Sequence, residues 1–222
     1  MAALFLYLKF RTKEGEWMKK SGKNTSIAIK DTKQLKRIQS YLKFNNYRAY
    51  VLFVIGLVTG YRGGDLVELT IADLRESIKS GELIVLENKT EHTRKHKFKR
   101  TAYLNEKLID ILKEFVRDKE DAEYVYPSKK GKGSGKYKMH IERESLGKIY
   151  KKAAIKCGIT DVAVGTHTPR KTFGYIQYIK SNKDIYYVQK LFCHSSPRVT
   201  MAYIGIDDDI LKESAENTEE YM

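Results

Sequence analysis

With 222 residues the chain has room for one large domain or two small ones, and enough length to bury a core. Its 42 Lys and Arg against 28 Asp and Glu give a net charge of +14; from Gly205 on, Asp207, Asp208, Asp209, Glu213, Glu216, Glu219 and Glu220 face only Lys212, a net of −6, so residues 1–204 carry +20. That balance points to a polyanion as partner, nucleic acid first, with a merely lysine-rich soluble protein as the plain alternative.

Two cysteines, Cys157 and Cys193, make no disulfide framework. The apolar run at residues 2–8 lacks the basic flank and small-residue cleavage site of a secretory signal. No stretch reaches the ~20 apolar residues of a membrane span. The chain therefore reads as cytoplasmic, with no membrane partner.

Residues 1–26 read as an arm or linker, with residues 4–8 suited to a strand or a packing arm. Asp31 caps a helix, with Gln34 placed as in a capping box and Leu35, Ile38 and Leu42 at helical spacing. Residues 50–59 are almost wholly apolar, which predicts a buried helix, and Gly60 ends it. Arg62 sits in the following turn, and residues 65–69 begin a short amphipathic helix. Residues 83–86 form a strand, 88–95 a polar turn and 98–104 an antiparallel return, so one basic-tipped hairpin interrupts the helices. Asn105 caps a helix with Leu108, Ile111, Leu112 and Phe115 on one face.

Residues 128–138, SKKGKGSGKYK, read as a flexible basic loop, either a solvated linker or a DNA contact. Residues 145–157 are helical, stopped by Gly158. After Pro169 come Phe173, Ile176 and Ile179 on one helix, then Ile185, Val188 and Leu191 on the next. Ser195-Ser196-Pro197 starts a short helix carrying Val199, Ala202 and Tyr203. An acidic last helix over 207–220 has Ile210 and Leu211 as its strong anchors. The expectation is a mainly helical domain over 27–206 with a small antiparallel sheet, between the 1–26 arm and a 207–222 acidic tail.

One stretch gathers chemistry: Thr166-His167-Thr168-Pro169-Arg170 sets a histidine and an arginine three apart at a helix start, where they share a face. Phosphodiester cleavage without a metal needs fixed cations on the phosphate, a nucleophile that loses its proton and a leaving oxygen that gains one. Arginine clamps phosphate oxygens bidentately, histidine moves protons near neutrality, and tyrosine can attack phosphorus to form a covalent intermediate. Taken singly, each candidate has a structural reading. Arg62 suits a surface cation, His167 and His194 suit hydrogen-bonded structural histidines, Tyr203 suits core packing, and Lys89 is one of many basic residues. His92 and His96 fall in a predicted turn with no cysteine pair nearby, so no metal site is read there.

Order changes the weight. Thr59-Gly60-Tyr61-Arg62-Gly63-Gly64-Asp65-Leu66 resembles the first-arginine motif of the tyrosine recombinase (phage integrase) family. Lys89-Thr90 looks like the family's hairpin lysine, His167-Thr168-Pro169-Arg170 like its HxxR box, Leu191-Phe192-Cys193-His194-Ser195-Ser196 like its LGHSS segment, and Thr200-Met201-Ala202-Tyr203-Ile204 like its nucleophile box. The resemblance covers about two-thirds of the chain, residues 59–204, and implies the catalytic-domain fold of that family. It further implies that Tyr203 attacks a DNA phosphate to leave a 3′-phosphotyrosyl link and a free 5′-hydroxyl. Arg62 and Arg170 would clamp the non-bridging oxygens with help from His194, Lys89 would protonate the departing oxygen and His167 would accept the tyrosine proton. No metal and no other cofactor is implied. Double-stranded DNA is the implied partner, with self-association through the tail and an accessory DNA-binding protein as further ones.

The sequence departs from the family pattern in places. Cys193 replaces the usual glycine before His194, Lys171 follows Arg170 where histidine is frequent, and Lys95 and Lys97 lie near Lys89 on the same hairpin. Lys95, Lys97, Lys129, Lys130 and Lys132 are the candidate DNA contacts. Family members usually carry a separate helical domain that completes a clamp around DNA. Only about 30 residues precede the first capped helix here, so the expectation is either a catalytic-domain fragment or a short form gripping DNA from one side. Besides the recombinase, a catalytically silent DNA-binding regulator with the same fold and a type IB topoisomerase fit these residues.

Overall fold

The most apolar stretch of the chain becomes the central helix. The computed structural model of the protein describes residues 26–86, 99–128 and 139–222. The arm up to residue 25, the hairpin tip with Lys89, Lys95 and Lys97, and the basic loop with Lys129, Lys130 and Lys132 lie outside the described residues.

Helix α1 (Thr32–Asn45) starts at Asp31, whose carboxylate accepts from the Lys33 amide at 2.7 Å. The expected capping box does not close. Gln34 turns away to the Asp161 carboxylate, 3.1 and 3.3 Å from its oxygens. Helix α2 (Tyr47–Thr59), capped by Asn46 on the Ala49 amide at 3.1 Å, is buried along Ala49–Gly56 and at Thr59. Being apolar on most sides, it can be packed on most sides. Helices α1, α5 (Glu106–Val116), α6 (Arg143–Lys156) and α7 (Thr168–Lys180) all lie against it. Gly60 ends it in the left-handed region at φ 64°, as the sequence predicts.

Helix α3 (Gly63–Val67) begins two residues earlier than expected, with Arg62 at its N-cap. Helix α4 (Ile71–Ser80) was not anticipated from the sequence. Its start is a full capping box: the Thr70 hydroxyl accepts from the Asp73 amide at 3.2 Å and the Asp73 carboxylate from the Thr70 amide at 2.8 Å. An aspartate closes this box instead of the commoner Glu or Gln, which masked it. Strands β1 (Glu82–Leu86) and β2 (Lys99–Tyr103) pair antiparallel, with Leu83 opposite Ala102 and Val85 opposite Arg100 on the inward face.

Helices α8 (Ile185–Phe192), α9 (Pro197–Ile204) and α10 (Asp207–Glu216) follow α7. Two apolar clusters result. The larger is built on α2 and takes side chains from α1, α3 to α6 and β1; the smaller consists of Phe173, Tyr178, Val188, Phe192, Ile204 and Ile206. Gly174 is where α7 meets the smaller one: a Cβ there would lie 2.6 Å from the Phe192 ring and 2.7 Å from Ile204.

Two expectations need correction. Ile176 and Ile179 are 37% and 45% exposed. The inward face of α7 runs through Arg170, Gly174 and Tyr178 at four-residue steps, so the two isoleucines fall on the outer side. In the tail, Ile210 and Leu211 are 37% and 69% exposed and do not anchor α10 to the body. Charge does: Lys30 donates to Asp209 at 2.5 Å and to the Gly205 carbonyl at 2.7 Å, and Lys183 pairs with Glu213. Exposed pairs of this kind contribute about 0–1 kcal/mol each.

Candidate active site

The site forms where α7 enters the body beside the α2–α3 turn. The first turn of α7 buries polar residues in a row: Thr168, Arg170, Lys171 and Thr172 are all under 9% exposed. Two of them are satisfied by backbone amides, one distant and one local: Thr172 Oγ1 accepts from the Ile29 amide at 2.9 Å and Thr168 Oγ1 from the Gly165 amide at 3.0 Å. Arg170 is 1% exposed. Its Nη1 donates to the Gly60 carbonyl. Its guanidinium lies 4.4 Å from the Phe192 ring centroid and 5.8 Å from that of Tyr203, a cation held between two aromatic faces. Gly60 admits this arrangement twice over. Its φ of +64° suits glycine, and a Cβ would lie 2.5 Å from the Phe173 ring.

His167 occupies the N-cap of α7 with helical backbone angles, and its carbonyl accepts from the Lys171 amide at 2.9 Å. The i, i+3 relation with Arg170 read from the sequence therefore holds in the backbone. Gly63, next to Arg62, lies against the Thr166 side chain and carbonyl. The two arginine motifs, over a hundred residues apart in the chain, thus meet at one wall.

His194 and Tyr203 come from the small lobe. Their rings stand edge to face, with centroids 5.1 Å apart at 77°. Phe192 lies beneath both, 5.1 Å from His194 and 5.5 Å from Tyr203. The turn holding His194 is tied at three points: its amide donates to Gln189 O at 3.1 Å, its carbonyl accepts from Gln189 Nε2 at 3.0 Å, and its Nδ1 is 3.1 Å from Thr200 Oγ1. Cys193 adopts the left-handed conformation at φ 53°. Its side chain is exposed, so replacing the usual glycine leaves the path of the turn intact and adds local strain only.

The electrostatics converge on Tyr203. Burial pushes its phenol pKa up. The charge and hydrogen bond of Arg170 pull it down, followed by the charges of Arg62 and Arg100. Lys171 Nζ sits 4.9 Å from the same ring, and burial lowers its own pKa.

Of the six expected site residues, Arg62, His167, Arg170, His194 and Tyr203 are described and border this one region. Lys89 lies outside the described residues, as do the five candidate DNA-contact lysines. Sequence reasoning passed over Arg100 and gave Lys171 and Thr200 no role in the site. The signal for Arg100 was an arginine at an inward strand position, where a lone charge is rarely left without partners. Among the described residues, no group of three or more His, Cys, Asp or Glu could hold a metal ion, and no helix is long and apolar enough to cross a membrane.

A model of the phage integrase family matches residues 29–209. The chain belongs to that family. It is an integrase/recombinase of the tyrosine recombinase family. The probable integrase/recombinase YoeC of Bacillus subtilis is 33% identical over 181 residues, 82% of this chain and 90% of YoeC. Tyrosine recombinase XerC of Caldanaerobacter subterraneus is 27% identical over 169 residues, 75% of this chain but 44% of XerC. Among solved structures, XerA recombinase superposes with a TM-score of 0.63 at 19% identity, over 89% of this chain and 65% of XerA. XerH in its post-cleavage complex with a palindromic difH substrate gives 0.60 at 20% identity, over 91% of this chain and 56% of XerH. These structures share the mainly helical fold with its two-stranded sheet.

Proposed function

We propose that the protein cleaves and rejoins double-stranded DNA at specific sites through a 3′-phosphotyrosyl intermediate on Tyr203. The observation that carries this reading is the setting of the Tyr203 phenol, half-buried against His194 and under the influence of Arg170 and Arg62. Burial outweighs the three arginines and leaves the phenol pKa raised, yet their charge already opposes it before any DNA is present. That preorganises the site for negative charge, as attack on a phosphodiester requires.

In the reaction, Tyr203 Oη forms a bond to phosphorus as the bond from phosphorus to the 5′-oxygen breaks. The tyrosine proton passes to His167, and the departing 5′-oxygen takes a proton from Lys89. Arg62 and Arg170 hold the non-bridging oxygens, joined by His194. Attack by a 5′-hydroxyl from a partner strand reverses the step and frees Tyr203, so the phosphotyrosyl bond conserves the energy for religation. XerH has been solved bound to its difH substrate and the Tn1549 transposon integrase in complex with a circular intermediate DNA, which supports DNA as the substrate class. Residues 27–206 serve as the catalytic unit in this reading. The 207–222 tail, with Ile210 and Leu211 facing outward, contacts a neighbouring protomer, and an accessory DNA-binding protein assists. The chemistry takes place in the bacterial cytoplasm, where the DNA is.

The test uses nicked duplexes from the DNA flanking the coding sequence, with a bridging 5′-phosphorothiolate at the scissile position. The expected result is a covalent protein–DNA adduct on a denaturing gel that is lost in Tyr203→Phe. Gel-shift binding with no adduct from the unmutated protein would favour the silent regulator instead.

A further inference from the structure

Arg100 belongs to none of the motifs that carry the proposed chemistry, yet it is built into the supports of three of them: the hairpin, the Arg62 turn and the end of the helix before His194. It occupies an inward position on β2 opposite Val85 and is 8% exposed. A buried guanidinium must place its N–H donors or incur a desolvation cost. One donor, Nη2, goes to the Leu191 carbonyl at 2.5 Å, near the end of α8, three residues before His194. The guanidinium lies 5.2 Å from the centroid of the Tyr61 ring, immediately before Arg62 in the chain. The Tyr61 hydroxyl returns to the sheet, 2.6 Å from the Leu83 carbonyl and 2.8 Å from that of Arg100 itself. One side chain thus joins the hairpin, the Arg62 turn and the end of the helix that delivers His194. Its charge also reaches the Tyr203 phenol and favours the phenolate.

We propose that Arg100 is a positioning residue for strand cleavage: it locks the end of α8, and with it His194, against the Arg62 turn, and it holds a fixed cation at that lock. This rests on the reading of Tyr203 as the nucleophile. Arg170 and Lys171 from α7 and His194 from the α8–α9 turn lie against the Tyr203 ring, and the charges of Arg62 from the α2–α3 turn and Arg100 from β2 also act on its phenol. Arg100 also bonds the backbone at the end of α8, through the Leu191 carbonyl.

The experiment compares the full-length protein with Arg100→Met and Arg100→Lys, following single-turnover adduct formation on nicked DNA across pH, with urea unfolding in parallel. Arg100→Met should slow adduct formation roughly ten- to a hundred-fold through misplacement of His194. It should also move the pH–rate profile to higher pH, because removing a cation favours the neutral phenol. Arg100→Lys keeps the charge without the planar fork, so it should restore the pH profile but not the full rate. A bridging phosphorothiolate, whose thiolate leaves without a proton, should not rescue Arg100→Met. Rescue, or an unshifted pH profile with a rate loss that tracks the loss of folded protein, overturns the proposal. An unmutated protein that forms no adduct overturns the nucleophile reading itself and takes this inference with it, so the two failures are told apart by the unmutated control.

Discussion

The two apolar clusters of the molecule are unequal, and the chemistry sits on the weaker one. The larger gathers thirty buried residues among those described. Buried Glu123 pairs with Arg48, and Arg75 pairs with Asp121, closing the loop after α5 onto the body. The smaller has six buried residues and two eight-residue helices. Yet His194 and Tyr203 stand on it, while Arg62 stands on the larger body. The difference teaches how the site is assembled. Geometry between the two sets depends on a few cross-links: Arg170 to the Gly60 carbonyl, Arg100 to the Leu191 carbonyl, and Phe173 filling the space a Cβ would take at Gly60. Segments with little buried apolar surface open at lower free energy than the main core. The small lobe can therefore adjust while the Arg62 wall stays fixed.

The largest effect expected from this asymmetry comes from Phe192→Ala. Phe192 is 1% exposed and touches Phe173, His194, Tyr203 and the Arg170 guanidinium. Truncating a buried phenylalanine costs about 3–5 kcal/mol. Hydrogen exchange should show α8 and α9 opening while α2 amides keep their protection, and adduct formation should fall with the lobe. The matched change in the larger cluster, Phe53→Ala at 0% exposure, should instead lower protection across the body in one cooperative step. Equal loss of α2 protection in both variants would mean that the two clusters unfold as one and that the comparison is wrong.

A finer probe acts within the lobe. Thr200 is fully buried; its hydroxyl donates to the Ser196 carbonyl at 3.2 Å and lies 3.1 Å from His194 Nδ1. Thr200→Val keeps the shape and removes both contacts. It leaves buried polar atoms without that partner, at about 1–3 kcal/mol. We expect cleavage to drop about ten-fold with gel-shift affinity nearly unchanged, since the DNA-holding charges are untouched. A parallel loss of affinity would show that His194 matters for holding DNA more than for the chemical step.

The same contrast explains what could be read in advance. The body was legible because its signals are local: an almost unbroken apolar run for α2, the four apolar residues 83–86 for β1, Asn105 three before Leu108. The order of the five motifs made the family legible, since each box keeps its residue types within a few positions. The inward face of α7 was not, because its first turn buries Arg170, Lys171 and Thr172. Pattern reading assigns such residues to water and gives the core to Ile176 and Ile179. Arg100 was missed for the same reason. A buried cation is paid for by tertiary partners, here Leu191 O and the Tyr61 ring, that no local window contains. The tail misled in the opposite sense: Ile210 and Leu211 look like anchors, but Lys30 and Lys183 reach α10 from distant segments.

Cys193→Gly gives the smallest effect and the sharpest test of where strain resides. Cys193 holds φ 53°, ψ 40° as the C-cap of α8. An L-residue with a side chain in that region carries roughly 1–2 kcal/mol that glycine does not. Glycine gains freedom in the unfolded chain, which offsets about 0.4–1 kcal/mol of this. The net expectation is a stabilisation of about 0–1.6 kcal/mol, visible as slower hydrogen exchange in α8 and α9 with no change in α2. Since the Cys193 side chain is exposed and the His194 turn is tied through Gln189 and Thr200, the rate of adduct formation should stay within about two-fold of the unmutated protein. A stabilised lobe with unchanged cleavage would separate the aim of His194 from the strain beside it. A gain in cleavage beyond that range would show that the cysteine holds His194 off its best position.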